Sequence, residues 1–241
     1  MSSYFLKFIF ILIYIITGSY FINDDYSKIL FSSSIILFSI IFLNVEFKKI
    51  IENKTISSIS IIIYLILVIY ASKENTFYLI IFGVNCFLVG FYEELLFRYS
   101  LFSKIVIKNK IIKSAIIVAV IFATAHFPNL RRYDLYSVII QSYFAFLISI
   151  ILTAIYIKFR SIFMISTIHG LVNFFGMIES KKIEYKGITT GNISIDINDL
   201  DRLLNSIISI SIILSPFFLI SIFYLHRYSK KHLLNDVLKV K

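Results

Sequence analysis

The feature that most constrains the fold of this sequence is a series of eight apolar stretches, separated by charged or turn-forming residues. Their approximate limits are Tyr4–Ile22, Ile29–Val45, Ile56–Ala71, Phe77–Phe102, Ile111–Phe127, Ser137–Phe159, Ser161–Met177 and Ser206–Leu225. At a helical rise of about 1.5 Å per residue, each is about long enough to cross a hydrocarbon core of ~30 Å. Runs of this length without alternation favour helices over barrel strands. We therefore predict an all-α, polytopic integral membrane protein, a bundle of about eight transmembrane helices.

The composition favours a bilayer over a soluble fold. Hydrophobic residues make up 59% of the 241 residues and charged residues only 16%, which is more apolar surface than a soluble domain of this length can bury. We see no repeat or low-complexity tract, and we predict a single membrane-embedded domain over residues 1–241. The net charge of +10 does not predict nucleic-acid binding, because the basic residues are scattered through short loops.

The distribution of basic residues predicts the orientation. Eight spans place both termini on one side, and sixteen of the 24 Lys and Arg residues fall on that side. By the positive-inside rule both termini are cytoplasmic, and the long loop Ile178–Asn205 lies outside. The heavy use of Ile, Lys and Asn suggests an AT-rich coding genome, so we expect a bacterial cell membrane.

A few strongly polar residues lie within the predicted spans. They are Glu93, Glu94 and Arg98 in the fourth span, His126 in the fifth, and His169 and Asn173 in the seventh. A charge at the centre of a bilayer costs at least ~2.5–3.5 kcal/mol, and such residues usually face a bundle interior and mark a functional site.

Three of these residues are expected at a similar depth. Measured from the basic residue at the cytoplasmic end of each span, Glu93 lies ~16 Å, His126 ~20 Å and His169 ~14 Å into the bilayer. Chance placement would scatter them over the full ~30 Å. We therefore predict that they form one site near the middle of the membrane.

Spacing within the fourth span predicts different directions for the two glutamates. Glu94 and Arg98 are four residues apart, so they share a helix face and can pair. Glu93 points ~100° away from Glu94, so one carboxylate can be structural while the other faces the site. Gly90, just ahead of them, would let a neighbouring helix approach closely.

Each of these features has an ordinary structural interpretation when it stands alone. An ion pair within a helix is more often structural than catalytic. A membrane histidine or asparagine often serves as an interhelical hydrogen-bonding group, and Phe122, one turn before His126, would by itself indicate core packing. The combination favours a functional site.

At these residues the sequence resembles the CPBP family of CAAX proteases and bacteriocin-processing proteins, also called Abi, which is related to the Ras-converting prenyl endopeptidase. The family's motifs are EExxxR, FxxxH, and HxxxN or HxxxD. Here they are EELLFR (Glu93–Arg98), FATAH (Phe122–His126) and HGLVN (His169–Asn173). They occur in the family's order on spans four, five and seven, and the close resemblance covers roughly residues 77–177.

The resemblance implies an intramembrane endopeptidase. It implies that Glu93 is the base that activates water, with His126 assisting, and that His169 and Asn173 donate hydrogen bonds to the tetrahedral oxyanion. Glu94 and Arg98 would then support the site, with Phe122 beside His126, although the roles of the two glutamates could be exchanged.

The sequence is compatible with both a metal-dependent and a metal-free mechanism. Glu93, His126 and His169 would form a reasonable Zn²⁺ ligand set with one position left for water. No H-E-x-x-H pair is present, and a metal-free mechanism needs the same residues.

Two other functions also stay open. A proton-coupled transporter would place Glu and His chains at mid-membrane, and a non-catalytic partner or bacteriocin-immunity protein would keep the same fold. Interrupted spans or a repeat would favour the transporter, and a missing motif residue would favour the non-catalytic protein; we see neither beyond Pro216 in span eight. We expect the partners to be the lipid bilayer and a peptide or protein substrate.

Overall fold

The computed structural model describes residues 2–21, 25–43, 53–72, 76–106, 111–131, 133–184 and 197–231. They form helices α1 (Ser2–Phe21), α2 (Asp25–Phe42), α3 (Lys54–Ala71), α4 (Thr76–Glu94), α5 (Ile111–Thr124), α6 (Leu135–Phe159), α7 (Ile162–Glu184) and α8 (Ile197–Lys231). A π-helix, Leu95–Phe102, and one α-helical turn, Ser103–Ile105, continue α4, and a 3₁₀-helix, Phe127–Arg131, follows α5. No strand occurs in the described residues. The predicted all-α fold class is confirmed.

Each predicted span corresponds to one helix. Among the described residues, five helices are long and apolar enough to cross a membrane, judged by length and composition; they are α3, α4 with its extension, α5 with the 3₁₀ turn, α6 and α8. Shorter apolar helices, Leu6–Gly18, Ser27–Phe42 and Ile162–Gly176, lie within α1, α2 and α7. The chain is an integral, multi-pass membrane protein. The cytoplasmic position of its termini stays a prediction.

The loop predicted over Ile178–Asn205 is shorter than expected. Helix α7 continues to Glu184 and α8 begins at Ile197, so the prediction was wrong for the parts of the loop within these helices. Asn198 and Asp199 lie in the first turn of α8. The central part of the predicted loop, residues 185–196, lies outside the described residues.

The helices fall into two compact groups. The first group contains α1 to α4, the π-helical residues up to Leu101, and α7. Within it, α4 packs against α2, α3 and α7. Apolar side chains of α3, α4 and α7 form a buried cluster, made of Tyr64, Val68, Phe82, Cys86 and Phe174. The Tyr64 hydroxyl donates to the Gly83 carbonyl at 2.6 Å, which satisfies the one polar atom that Tyr64 brings into this cluster.

The second group contains α5, α6 and α8. Helix α8 packs against α5, and the hydroxyls of Tyr143 on α6 and Ser211 on α8 are hydrogen-bonded at 2.7 Å. A single domain over residues 1–241 stays a prediction.

Candidate active site

Helices α4 and α7 bring three of the predicted site residues into contact. His169 Nδ1 lies 2.8 Å from Glu94 Oε1, and His169 Nε2 lies 3.3 Å from Glu93 Oε2. The imidazole therefore lies between two adjacent glutamates and faces one with each ring nitrogen.

Arg98 is the second side chain in contact with Glu94. Its Nη1 lies 3.0 Å from the same oxygen, Glu94 Oε1, and both side chains are fully buried. The predicted pairing of these two residues is therefore present in the structure. The α-helical geometry assumed for it was wrong from Leu95 onward, because that segment is a π-helix. The α-helical rise used to infer the depth of Glu93 does not apply there. Single turns of π-helix are rare and often occur at functional sites.

The two glutamates differ in their access to water. The side chain of Glu94 is 0% exposed, whereas that of Glu93 is 19% exposed. The second oxygen of Glu94, Oε2, has no hydrogen-bond partner among the described residues. Glu94 is thus shielded from solvent, and Glu93 is the carboxylate that a water molecule can reach.

The geometry around His169 determines where protons can be. Glu94 Oε1 accepts from Arg98, and a carboxylate oxygen that also faces His169 Nδ1 at 2.8 Å requires that nitrogen to carry its hydrogen. Nε2 then has two options: it donates to an ionised Glu93, or it accepts from a protonated Glu93. The contact between His169 Nε2 and Glu93 Oε2 can therefore carry one shared proton, with either atom as the donor.

The start of α7 is fixed by its own capping interactions. Ser161 Oγ accepts from the Met164 N–H at 3.1 Å, the usual role of a serine at a helix N-terminus. The same buried hydroxyl is hydrogen-bonded to Ser57 Oγ of α3 at 2.8 Å. These contacts hold α7 against α3 about two turns before His169. Ser161 is the first residue of the predicted seventh span, and its capping role agrees with the rule that a serine directly before an apolar helical run is a start signal.

His126 belongs to the second helix group and lies in a turn. Helix α5 ends at Thr124, so the prediction that His126 lies within a helix was wrong. Pro128 explains the end, because proline lacks an N–H and disfavours helical conformation in the residue before it. The His126 N–H bonds to the Ala123 carbonyl at 3.2 Å rather than continuing the α-helical pattern.

In a continued α-helix the His126 backbone N–H would donate to the Phe122 carbonyl. Here the side chain of His126 makes that hydrogen bond instead. His126 Nδ1 lies 2.9 Å from the Phe122 carbonyl oxygen, and the two rings are in edge-to-face contact with centroids 5.0 Å apart. Because a carbonyl only accepts, Nδ1 is the donor, and it satisfies one of the carbonyls left open at a helix C-terminus. In the neutral ring, Nε2 therefore keeps its lone pair.

The structure thus brings together Glu93, Glu94, Arg98 and His169. Asn173 lies one helical turn after His169 on α7 and is partly exposed. His126 and Phe122 are in the other helix group, and their participation in the same site stays a prediction.

The residues of the first group do not fit a zinc site in this arrangement. A zinc-bound imidazole presents a nitrogen lone pair to the metal, but both ring nitrogens of His169 face glutamate oxygens. Among the described residues, no group of three His, Cys, Asp or Glu side chains is arranged to hold a metal ion.

Comparison with protein families gives an independent result for the segment that carries the motifs. Residues 74–175 match the family of type II CAAX prenyl endopeptidase Rce1-like proteins. The resemblance inferred from the motifs is therefore confirmed for this segment. The matched residues include all three motifs.

One curated relative also matches this chain. It is the UPF0177 protein YvdC of Lactococcus lactis subsp. lactis (strain IL1403), which is 31% identical over 98 residues, 41% of this chain and 34% of the relative. The match thus spans about a third of the relative's length. No solved structure matches the chain.

Proposed function

We propose that this protein is an intramembrane endopeptidase that hydrolyses a peptide bond in a membrane-associated or hydrophobic peptide or protein. The observation that carries the proposal is the Glu93–His169–Glu94 contact, buried between two apolar helices within the Rce1-like segment. Peptide hydrolysis needs a base for water, stabilisation of the oxyanion and a proton for the leaving amine.

Glu93 is the base in this proposal. It is the partly exposed member of the glutamate pair, so it can contact water while Glu94 cannot. When the shared proton lies on His169 Nε2, Glu93 is a carboxylate that can take a proton from the attacking water. The oxygen of that water forms the new bond to the carbonyl carbon.

The same carboxyl group can complete the reaction. As the C–N bond breaks, the proton on Glu93 passes to the departing amine, and the carboxylate is regenerated. His169 remains protonated between the two glutamates throughout. Glu94, held by Arg98 at 3.0 Å, keeps the imidazole oriented through Nδ1.

Asn173 and His126 complete the site by resemblance to the family. The Asn173 amide would donate to the oxyanion, one turn after His169. Because both nitrogens of His169 face glutamates in this arrangement, His169 would act on the oxyanion chiefly through its positive charge. His126, with Nδ1 committed to the Phe122 carbonyl, would accept a hydrogen bond from the attacking water through Nε2.

The test is cleavage of a panel of quenched-fluorescent hydrophobic peptides by the purified protein in nanodiscs. We expect Glu93→Gln, which keeps the shape of the side chain, to lower the rate by about 10²–10⁴-fold, the usual contribution of a general base. Asp201→Asn, which removes an exposed carboxylate of α8, is the matched control and should leave the rate unchanged. We also propose that no metal is required, so a strong chelator should have no effect.

Four outcomes would contradict the proposal in different ways. Near-wild-type cleavage by Glu93→Gln would exclude Glu93 as the base, and cleavage that survives both Glu93→Gln and His126→Ala would indicate a contaminating protease. Loss of activity on chelation would contradict the metal-free mechanism. Absence of cleavage across the panel would favour the transporter or the non-catalytic partner, which proton-flux measurements in liposomes would then separate.

A further inference from the structure

Gly90 lies where the backbones of α4 and α7 approach closely. A Cβ atom added at Gly90 would lie 3.0 Å from the Gly170 nitrogen, 3.0 Å from the Ser166 carbonyl oxygen and 3.3 Å from His169 Cβ. Two of these three neighbours are backbone atoms, which cannot turn aside as a flexible side chain can. An alanine at position 90 therefore requires these neighbours on α7 to give by a few tenths of an ångström.

Gly170 has the reciprocal position on α7. A Cβ atom added there would lie 3.0 Å from Phe87 Cα, 3.1 Å from Tyr64 Cε2 and 3.3 Å from the Cys86 carbonyl oxygen. The two glycines thus remove side-chain bulk from both helices at one crossing point. Small residues allow this kind of close helix packing within membranes.

The crossing point is adjacent to the candidate site on both helices. Gly90 precedes Glu93 by one helical turn, and Gly170 directly follows His169. Because His169 Cβ is itself one of the atoms that a larger residue at position 90 would meet, a shift of α7 changes the distance from the imidazole to the glutamates. The Nδ1–Glu94 distance of 2.8 Å lies within the usual hydrogen-bond range, whereas the Nε2–Glu93 distance of 3.3 Å already lies just beyond it, so a further separation would weaken the second contact most.

We propose that Gly90 and Gly170 are positioning residues, whose close contact sets the distance over which His169 and Glu93 share a proton. The activity part of this inference rests on the proposed endopeptidase function. The geometric part does not, because the protonation and hydrogen bonding of His169 can be measured directly.

Gly176 provides a matched control on the same helix. It is exposed, and a Cβ atom added there meets nothing within 4 Å. Gly176→Ala therefore makes the same chemical change in α7 without touching α4. It should leave activity unchanged and favour the helix slightly, since alanine is a better helix former than glycine.

The experiment compares Gly90→Ala, Gly170→Ala and Gly176→Ala in nanodiscs by peptide cleavage and by ¹⁵N NMR of the imidazole nitrogens. The chain contains four histidines, and His169→Gln identifies the signals of His169. We expect Gly90→Ala and Gly170→Ala to shift the His169 Nδ1 and Nε2 signals and to lower cleavage by about tenfold or more. Gly176→Ala should do neither, and the His126 signals should stay constant in all three.

Folded Gly90→Ala and Gly170→Ala proteins with unchanged His169 signals would overturn the inference, whatever their activity. Shifted signals in the two variants, together with a wild-type protein that itself shows no peptidase activity, would support the positioning role and reject the endopeptidase. If neither variant folds, the wild-type protein decides the question by solid-state NMR with labelled glycine. A Gly90–Gly170 contact would then support the crossing, and its absence would overturn it.

Discussion

His169 and His126 obtain their hydrogen-bond partners in opposite ways. The imidazole of His169 on α7 lies between Glu93 and Glu94 on another helix, and Glu94 is 75 residues away along the chain. His126 bonds instead to the carbonyl of Phe122, four residues earlier in its own chain. The first arrangement depends on how two helices pack, whereas the second is made within a single turn.

Because of this difference, different structural changes would alter the hydrogen bonding of the two histidines. The contact of His169 Nε2 with Glu93 joins two helices, so its length depends on the packing of α4 against α7. The hydrogen on His126 Nδ1 is held by a backbone carbonyl that no change in helix packing removes. Changes at the α4–α7 contact should therefore alter His169 and leave His126 as it is.

The largest effect on stability is expected when the candidate site loses the buried guanidinium of Arg98. Arg98→Ala leaves the carboxylate of Glu94, which is 0% exposed, without its guanidinium partner. Breaking a buried ion pair from one side typically destabilises a protein by about 3–5 kcal/mol. We expect a correspondingly large fall in the thermal unfolding midpoint of the protein in detergent or nanodiscs.

Arg227→Ala is the matched control for this change. Arg227 is an exposed arginine of α8, and its loss should change stability by no more than about 0.5 kcal/mol. If Arg98→Ala had the same unfolding midpoint as the wild type and Arg227→Ala, the ion pair of Arg98 with Glu94 would have no structural role. A change in the His126 ¹⁵N signals in Arg98→Ala would contradict the independence of the two histidines.

A smaller loss of stability is expected when His126 loses its hydrogen bond to the Phe122 carbonyl. His126→Phe keeps a ring beside Phe122 but leaves the Phe122 carbonyl without the Nδ1–H donor. A hydrogen bond of this kind contributes about 1 kcal/mol, so the unfolding midpoint should fall only slightly. The His169 ¹⁵N signals should be the same as in the wild type. A loss of stability as large as that of Arg98→Ala would show that His126 has more than a local role.

The same distinction explains how much the sequence could predict. The eight helices follow from long apolar runs, and the Glu94–Arg98 pair follows from a four-residue spacing, because both patterns are local. The early end of α5 had a local signal, Pro128, that the prediction of the span did not use. The π-helix after Glu94 has no recognisable signal in LLFRYSLF.

The contacts between helices could be predicted only in part. The predicted depths placed His169 and Glu93 at a similar level, although the α-helical rise used for Glu93 does not hold beyond Glu94. They could not give the rotation of α7 about its axis. That rotation places both ring nitrogens against carboxylates, and in the proposal above it depends on packing at Gly90 and Gly170. Gly90 was recognised as a position for close approach, whereas Gly170 was not, since its partner atoms lie on α3 and α4.

The last expected effect concerns a carboxylate whose hydrogen bonds both come from a residue of its own helix end, Asp134, directly before α6. Its Oδ1 accepts from the Ser137 N–H at 2.9 Å and its Oδ2 from the Ser137 hydroxyl at 2.6 Å. Partial burial raises the pKa of Asp134, but the bonds from Ser137, with a smaller contribution from Arg202, lower it further, so the pKa lies below its usual value. Glu94, by contrast, depends on partners that include another helix.

The sign of the pH dependence follows from that direction. A carboxyl group whose pKa is lower in the folded state stabilises the protein above the pKa of the unfolded chain, and this contribution is lost as the pH falls through the folded value. Asp134→Ala removes a helix N-cap and should cost about 1 kcal/mol at neutral pH. The difference in unfolding midpoint between Asp134→Ala and the wild type should therefore narrow as the pH falls below about 4, the usual pKa of an aspartate. A difference that stays constant from neutral pH into that range would show that the ionised carboxylate contributes nothing beyond its shape. The stability of α6 would then not depend on the negative charge of Asp134. The comparison of this cap with the interhelical contacts of His169 could then not rest on that charge.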